Sequence, residues 1–299
     1  MGQRVMNSKL VDLPAVVTNT SDQGASVGIM SDKGAKRHTV YVRDPTGEQQ
    51  KEDQVAEEKA IAMVYNGISH AVMMATPLDL SDFALGFSLT EKIIATPQQL
   101  KNIEIIRSDL GYEIQMDIIG SAWMQLKQRR RQLNGRTGCG ICGLESLEAV
   151  QPVVQIVRAA VLPTYAVVDE AMQEMQAQQT LHEQCGAVHA AAFVDASGHV
   201  VALREDIGRH NALDKLLGAI ARRNTNEGFI TVSSRASYEM IYKTATQGIS
   251  TLIAASAPTM MAIELAHQAQ MNLIGFVKPG RQSIYCQSAA FIENNEDKV

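Results

Sequence analysis

Three short apolar runs, Phe229-Ile-Thr-Val232, Thr251-Leu-Ile-Ala-Ala255 and Asn272-Leu-Ile-Gly-Phe-Val277, are separated by the helix-length segments 238–246 and 260–269. No feature constrains the fold more. A strand that is apolar throughout must be covered on both faces, and two parallel strands can be joined only by a long crossover, usually a helix. Upstream, residues 168–184 carry a helical pattern. Val188-His-Ala-Ala-Ala-Phe-Val194 and His199-Val-Val-Ala-Leu203 then flank the turn Asp195-Ala-Ser-Gly198, and Ala212, Leu213, Leu216, Leu217 and Ile220 form a helical stripe. The predicted order α-β-β-α-β-α-β-α-β makes this half an α/β unit, a three-layer αβα sandwich.

The first half has another rhythm. Residues 37–43 alternate polar and apolar side chains and predict a half-buried strand, whereas the charge-dense stretch 44–59 predicts an exposed loop. Ala60-Ile-Ala-Met-Val-Tyr65 and Ser69-His-Ala-Val-Met-Met74 flank Asn66-Gly67, the strongest short hairpin signal. An amphipathic helix is expected over residues 79–94, then alternating strands at 103–107 and 112–118. This is a mixed α+β pattern. The division expected is a flexible N-terminus (1–34), an α+β domain (35–150), an α/β domain (151–290) and a polar tail (291–299). With 45% hydrophobic residues and a net charge of −5, the chain predicts a soluble globular protein without a general nucleic-acid footprint. No apolar run reaches the roughly 18 residues of a membrane span, and no signal-peptide pattern opens the chain. Four cysteines in 299 residues form no disulfide framework, which predicts a cytoplasmic protein.

Two of those cysteines lie in Gly138-Cys139-Gly140-Ile141-Cys142-Gly143, behind the cations Lys127, Arg129, Arg130, Arg131 and Arg136. Glycines allow close approach, and positive charge favours thiolate over thiol. A zinc half-site would need two further ligands, for which Cys185 and His189 are the candidates. A thioredoxin-type pair would need a strand before it and a helix after it. A sulfur relay needs one exposed thiolate on a pliable loop, and the glycines suit this reading best.

A second constellation follows from the parallel strands, because ligands bind beyond their carboxyl ends, where helix N-termini also point. Those ends read Ser233-Ser234-Arg235, Ser256-Ala257-Pro258-Thr259 and Lys278-Pro279-Gly280-Arg281. Hydroxyls and three cations gather there, as a phosphate-bearing ligand would require. Asp206, Arg209 and His210, just before the helix at Ala212, join the candidates.

These blocks, with Asp206-Ile-Gly-Arg-His-Asn-Ala-Leu-Asp-Lys215, Ser233-Ser-Arg-Ala-Ser-Tyr-Glu-Met240 and Val72-Met-Met-Ala-Thr-Pro77, resemble the FdhD family over roughly residues 35–286. Lys92, where a glycine is more usual, is the one departure noted. The resemblance implies a sulfurtransferase that takes persulfide sulfur from a cysteine desulfurase. It passes the sulfur to Mo-bis(molybdopterin guanine dinucleotide) for formate dehydrogenase. Cys139 matches the persulfide position, with Cys142 as partner thiol. Phe276, Val277, Lys278, Pro279, Gly280 and Arg281 match the cofactor-contacting stretch, to which the strand-end reading adds Ser233, Arg235, Arg209 and His210. A GDP-like guanine nucleotide is the expected mimic, and a homodimer and no metal ligands are implied. The resemblance also implies a cytidine-deaminase-like fold for the second domain. The zinc deaminase set His-x-Glu and Pro-Cys-x-x-Cys is missing, however, since His189-Ala-Ala191 and Pro258-Thr-Met-Met261 lack the acid and both thiolates. A non-catalytic cofactor chaperone, whose CxxC loop grips a partner or zinc, is the alternative.

Overall fold

Asn66 (φ 46°) and Gly67 (φ 78°) both adopt the left-handed conformation that a two-residue type I′ turn requires. They join β4 (Lys59–Tyr65) to β5 (Ile68–Ala75), the hairpin that the sequence predicts. The computed structural model describes residues 16–19, 34–133, 153–223 and 227–288. In it, β6 (Leu100–Ser108) and β7 (Gly111–Ile118) pair antiparallel, and β7 runs parallel to β4. A short β1 (Val16–Asn19), placed where the sequence predicts only a flexible segment, runs parallel to β6 and completes a five-stranded sheet, β1-β6-β7-β4-β5. Ile61, Met63, Ile103, Ile105, Ile114 and Met116 turn inward from it onto Phe83 and Phe87 of α1 (Leu80–Thr90).

The segment 35–59 differs from expectation twice. β2 (Ala35–Asp44) is a strand, but it is exposed along nearly its whole length, and the predicted loop contains β3 (Gly47–Ala56). The two form a separate ribbon in unbroken register from Ala35↔Ala56 to Asp44↔Gly47. Its polar strands are tied by cross-strand contacts, Thr39 Oγ1 to Glu52 at 2.7 Å and Arg43 to Glu48 at 2.7 Å. Asp44 closes the turn by accepting from the Thr46 N–H.

The second sheet has six strands in the order β13-β12-β11-β10-β8-β9. β10 (Gly228–Val232), β11 (Thr251–Ala254) and β12 (Asn272–Lys278) are parallel, as the apolar runs predict. β8 (His189–Asp195) and β9 (Val200–Asp206) form an antiparallel hairpin, and β13 (Arg281–Cys286), absent from the predicted order, adds an antiparallel edge. One face packs on α5 (Arg209–Ala221), α6 (Tyr238–Thr246) and α7 (Met260–Ala269); the other packs on α3 (Tyr165–Ala177). Three layers result. The single helix expected over 168–184 is in fact two. The Glu205 carboxylate accepts the N–H groups of Leu181 and His182, both at 2.8 Å, and so starts α4 (Thr180–Cys185) afresh.

The two sheets meet through α1 and α5. A Cβ on Gly86 would lie 1.7 Å from the Asp214 carbonyl oxygen, and one on Gly218 would lie 1.9 Å from that of Asp82. The helices therefore touch backbone to backbone. This close approach buries α1 on almost every side rather than along one stripe. Two ion pairs flank the crossing. Lys215 Nζ lies 2.7 Å from Asp206 and 2.8 Å from the Thr76 carbonyl, and Lys243 Nζ lies 2.8 Å from Asp214 and 3.0 Å from Glu91.

Candidate functional site

The carboxyl ends of β10, β11 and β12 open on the same edge as the start of antiparallel β8, since Val232 pairs with Ala191. The N-termini of α5, α6 and α7 point to this edge, so partial positive charge collects there before any side chain is counted.

α5 is held in place by the first sheet. Asp206 accepts from Thr76 N–H (3.0 Å), Gly208 N–H (2.8 Å) and Asn211 Nδ2 (3.0 Å), and Asn211 also donates to the Met74 carbonyl (2.9 Å). Asp206, a candidate from the sequence, is thus fully buried and engaged in joining the two sheets. The residues it positions, Arg209 and His210, remain at the mouth of the site. His210 Nε2 lies 2.6 Å from Glu239 on α6 and 3.4 Å from the Ser237 hydroxyl. Glu239 was not singled out from sequence, because only the α5–α6 packing brings it to His210.

The charge balance is positive. Burial, and then the nearby Arg235, hold the Arg209 guanidinium below its ordinary pKa. Burial followed by Arg209 does the same to His189. The hydrogen bond from His210 keeps the Glu239 carboxyl below the usual glutamate value, against burial. Arg209 Nε is buried without a hydrogen-bond partner among the described residues. Ser233 is less available than its sequence position suggests, as its hydroxyl accepts from the Ala190 N–H at 2.9 Å.

At the end of β12, Phe276 adopts φ 51°, a left-handed conformation that is strained for a side chain of this kind. It sits in a register shift between Gly275 and Lys278, and its N–H reaches the Ser256 carbonyl at 3.3 Å. Gly275 permits that closure, since a Cβ there would press on Pro258, Ser256 and Tyr285 at 3.0–3.1 Å. The Arg281 guanidinium stacks 5.5 Å from the Phe276 ring centre. Lys278 is exposed; Pro279 and Gly280 (φ 79°) make the turn to β13, and Val277 is buried in the core. Of the predicted stretch, therefore, Phe276, Lys278 and Arg281 are the side chains that can meet a ligand.

Cys139, Cys142 and Arg136 lie outside the described residues, as do the side chains of Arg130 and Arg131. Two other members of the basic run, both on α2 (Gly120–Leu133), have partners. Arg129 donates to the Lys92 carbonyl at 2.9 Å and caps the end of α1, and Lys127 lies 4.8 Å over the Trp123 ring. Cys185 donates its thiol to the Leu181 carbonyl at 3.1 Å, and His189 begins β8. Among the described residues no group of three or more His, Cys, Asp or Glu side chains is arranged to hold a metal. No helix among them is long and apolar enough to cross a membrane.

The sequence profile of the FdhD/NarQ family matches residues 56–292, which span β4 to β13, the CxxC motif and the whole cationic edge. The sulfur carrier protein FdhD of Cupriavidus necator is 51% identical over 235 residues, covering 78% of this chain and 82% of that protein. The protein of the same name from Acinetobacter baylyi is 44% identical over 252 residues, covering 83% and 90%. Among solved structures, a candidate formate dehydrogenase accessory protein from Desulfotalea psychrophila has the same fold. It gives a TM-score of 0.66 at 21% identity, covering 84% of this chain and 96% of that one.

Proposed function

The chain belongs to the FdhD/NarQ family, and from that premise we propose that it is a sulfur carrier with sulfurtransferase activity in formate dehydrogenase maturation. Its relatives carry the name of sulfur carrier proteins, and the Cys139–Cys142 motif has the glycines and adjacent cations that a relay thiolate needs. In the proposed reaction the Cys139 thiolate attacks the terminal sulfur of a persulfide on a cysteine desulfurase. The donor S–S bond breaks, the donor leaves as a thiolate, and Cys139 becomes the persulfide. The acceptor is Mo-bis(molybdopterin guanine dinucleotide), held as substrate. Cys142 can resolve the transfer by attacking the inner sulfur of the Cys139 persulfide, which forms a Cys139–Cys142 disulfide and releases hydrosulfide to the acceptor; a dithiol reductant then returns both cysteines to thiols for the next round.

One observation carries the acceptor half of this reading. A strained Phe276, Lys278 and Arg281 share an edge with Arg209, His210 and Arg235, an arrangement suited to a ligand with several phosphates. The layering of the second sheet supports a cytidine-deaminase-like scaffold used for binding. His189 is followed on β8 by two alanines, so the acid that deamination requires is missing there. A cytoplasmic homodimer is the form in which we expect it to work.

Incubation with a cysteine desulfurase and cysteine should add one sulfur mass to the peptide bearing Cys139, and Cys139→Ala should abolish the addition. Undiminished labelling of the variant would remove Cys139 from the role. Recovery of formate dehydrogenase activity with that variant would favour the non-catalytic chaperone.

A further inference from the structure

β9 closes one flank of the second sheet, because the strand order ends with it. Which of its backbone groups face outward follows from its neighbour. The Ala190 N–H donates to Ser233 Oγ and the Ala190 carbonyl accepts from the Ser233 N–H, so Ala190 turns toward β10 and away from β9. Its partner in register is Glu205. Peptide groups alternate sides along an antiparallel strand, so those of Glu205 and Leu203 point away from the sheet. Two arginines mark the same direction: Arg204 Nη1 donates to the Leu203 carbonyl at 2.7 Å, and Arg223 Nη1 donates to that of Val201 at 2.5 Å. No strand meets these groups.

This flank lies in a groove of about 470 Å³, lined, besides β9, by Leu78 and Asp79 ahead of α1, by the α3–α4 turn and by Arg223. An open strand edge is a template for another strand. A recessed edge cannot pair flush with the equally recessed edge of a second copy, whereas a free extended segment can enter the groove. Such strand addition draws its affinity from main-chain hydrogen bonds. The outward groups of residues 201, 203 and 205 span about 14 Å, the length of a strand of four or five residues. The charges of the groove say what the segment should carry. Arg204 lies 3.5 Å from Asp79 and 2.6 Å from Asp82, and Glu205 accepts the two N–H groups that start α4. The Arg223 guanidinium is exposed, and among the described residues its one partner is the Val201 carbonyl. A carboxylate on the incoming segment would complete it.

We propose that β9 is a docking edge, to which an extended segment of formate dehydrogenase adds as a further strand with a carboxylate side chain set against Arg223. This rests on the reading of the chain as a factor in formate dehydrogenase maturation, and it adds where the enzyme is gripped. Arg204 and Arg223 would release the Leu203 and Val201 carbonyls to N–H groups of the segment. The outward N–H groups of Leu203 and Glu205 would take its carbonyls.

Hydrogen exchange resolved to single amides, on the full-length chain alone and with cofactor-free formate dehydrogenase, tests the docking edge. The Leu203 and Glu205 amides should exchange about tenfold or more slowly in the complex. Two variants probe the same edge by equilibrium binding. Leu203→Pro removes an outward donor, a change that an edge strand accommodates, and Arg223→Glu reverses the unpaired charge. Each should weaken the complex roughly tenfold or more, with persulfide loading of Cys139 unchanged. Arg223→Glu, at an exposed position, keeps the test open if the proline perturbs the strand. Wild-type affinity in both variants, with no slowing at Leu203 and Glu205, would overturn the docking edge and leave the maturation role standing. Amides already protected in the chain alone would overturn it as well: protection independent of concentration would assign the groove to a segment of this chain, and protection that rises with concentration to a second copy. Absence of any complex would also end the proposal, and joined with absent persulfide loading it would remove the maturation reading itself.

Discussion

Lys243 is almost excluded from water, yet its ammonium is surrounded by oxygens: Asp214 at 2.8 and 3.0 Å, Glu91 at 3.0 Å and Thr90 Oγ1 at 3.1 Å. Burial alone would drive its pKa down. Asp214 and Glu91 outweigh it and push the pKa up to about 12. Burial meanwhile raises the pKa of Asp214, against the pull of Lys243. Removing one partner strands the other, so Lys243→Met should lower stability by about 3–5 kcal/mol in urea unfolding. Combining it with Asp214→Leu should recover much of the loss. A single variant within about 1 kcal/mol of wild type would show that the pair is far weaker than its geometry. The linkage has a definite sign. The folded pKa lies above the ordinary 10.5, so the contribution is complete below pH 10.5 and is lost as pH rises toward 12. The alkaline decline of stability should therefore flatten in the double variant. None of this was legible in the sequence, where Asp206 reads as a candidate site residue and nothing pairs it with Lys215 or pairs Asp214 with Lys243. That Arg209, His210, Arg235, Lys278 and Arg281 lie along one edge of the second sheet was legible, because each stands next to a strand end or helix start.

At the scale of elements, a strand could be read wherever one of its faces was apolar. The runs at 229–232, 251–255 and 272–277 became β10, β11 and β12 with small shifts at their ends. β3 and β13 were missed for the same physical reason: Gly47–Ala56 has no apolar face, and Arg281–Cys286 is a half-buried edge of mixed polarity, so their pairing depends on a partner rather than on burial. Missing β13 also hid the register shift that holds Phe276 left-handed, since the shift exists only between β12 and β13. Paired substitutions separate the backbone from the ring. Phe276→Ala keeps the strained φ and loses the ring, whereas Phe276→Gly loses both. The glycine variant should be the more stable of the two by about 1 kcal/mol in thermal or urea unfolding, because only glycine adopts this conformation freely. Both should bind GDP more weakly than wild type, since Arg281 loses the ring on which it stacks. If alanine proves the more stable, the left-handed conformation at 276 carries no strain.

For the whole molecule, the two sheets were visible one at a time, but their union was not. Residues 79–94 read as an amphipathic helix because Leu80, Phe83, Ala84, Phe87 and Leu89 recur at helical spacing, while the side that carries Gly86 looks merely small. That side is the contact. Gly86 and Gly218 let α1 and α5 meet backbone to backbone, and through α5 the first sheet fixes where Arg209 and His210 stand. Stability and ligand binding should therefore fail together at this crossing. A methyl at Gly86 would sit 1.7 Å from the Asp214 carbonyl oxygen, where no rotamer can relieve it and one helix must move. Gly86→Ala is expected to cost about 3 kcal/mol or more and to weaken GDP binding, although residue 86 touches no ligand. Gly120→Ala is the control, with φ outside the left-handed range and nothing within 4 Å of the added carbon. There the helix-start alanine should be neutral or stabilising by up to about 1 kcal/mol, with binding unchanged. Equal behaviour of the two variants would mean that the helices can separate without loss, and the site would then have to be held by the second sheet alone.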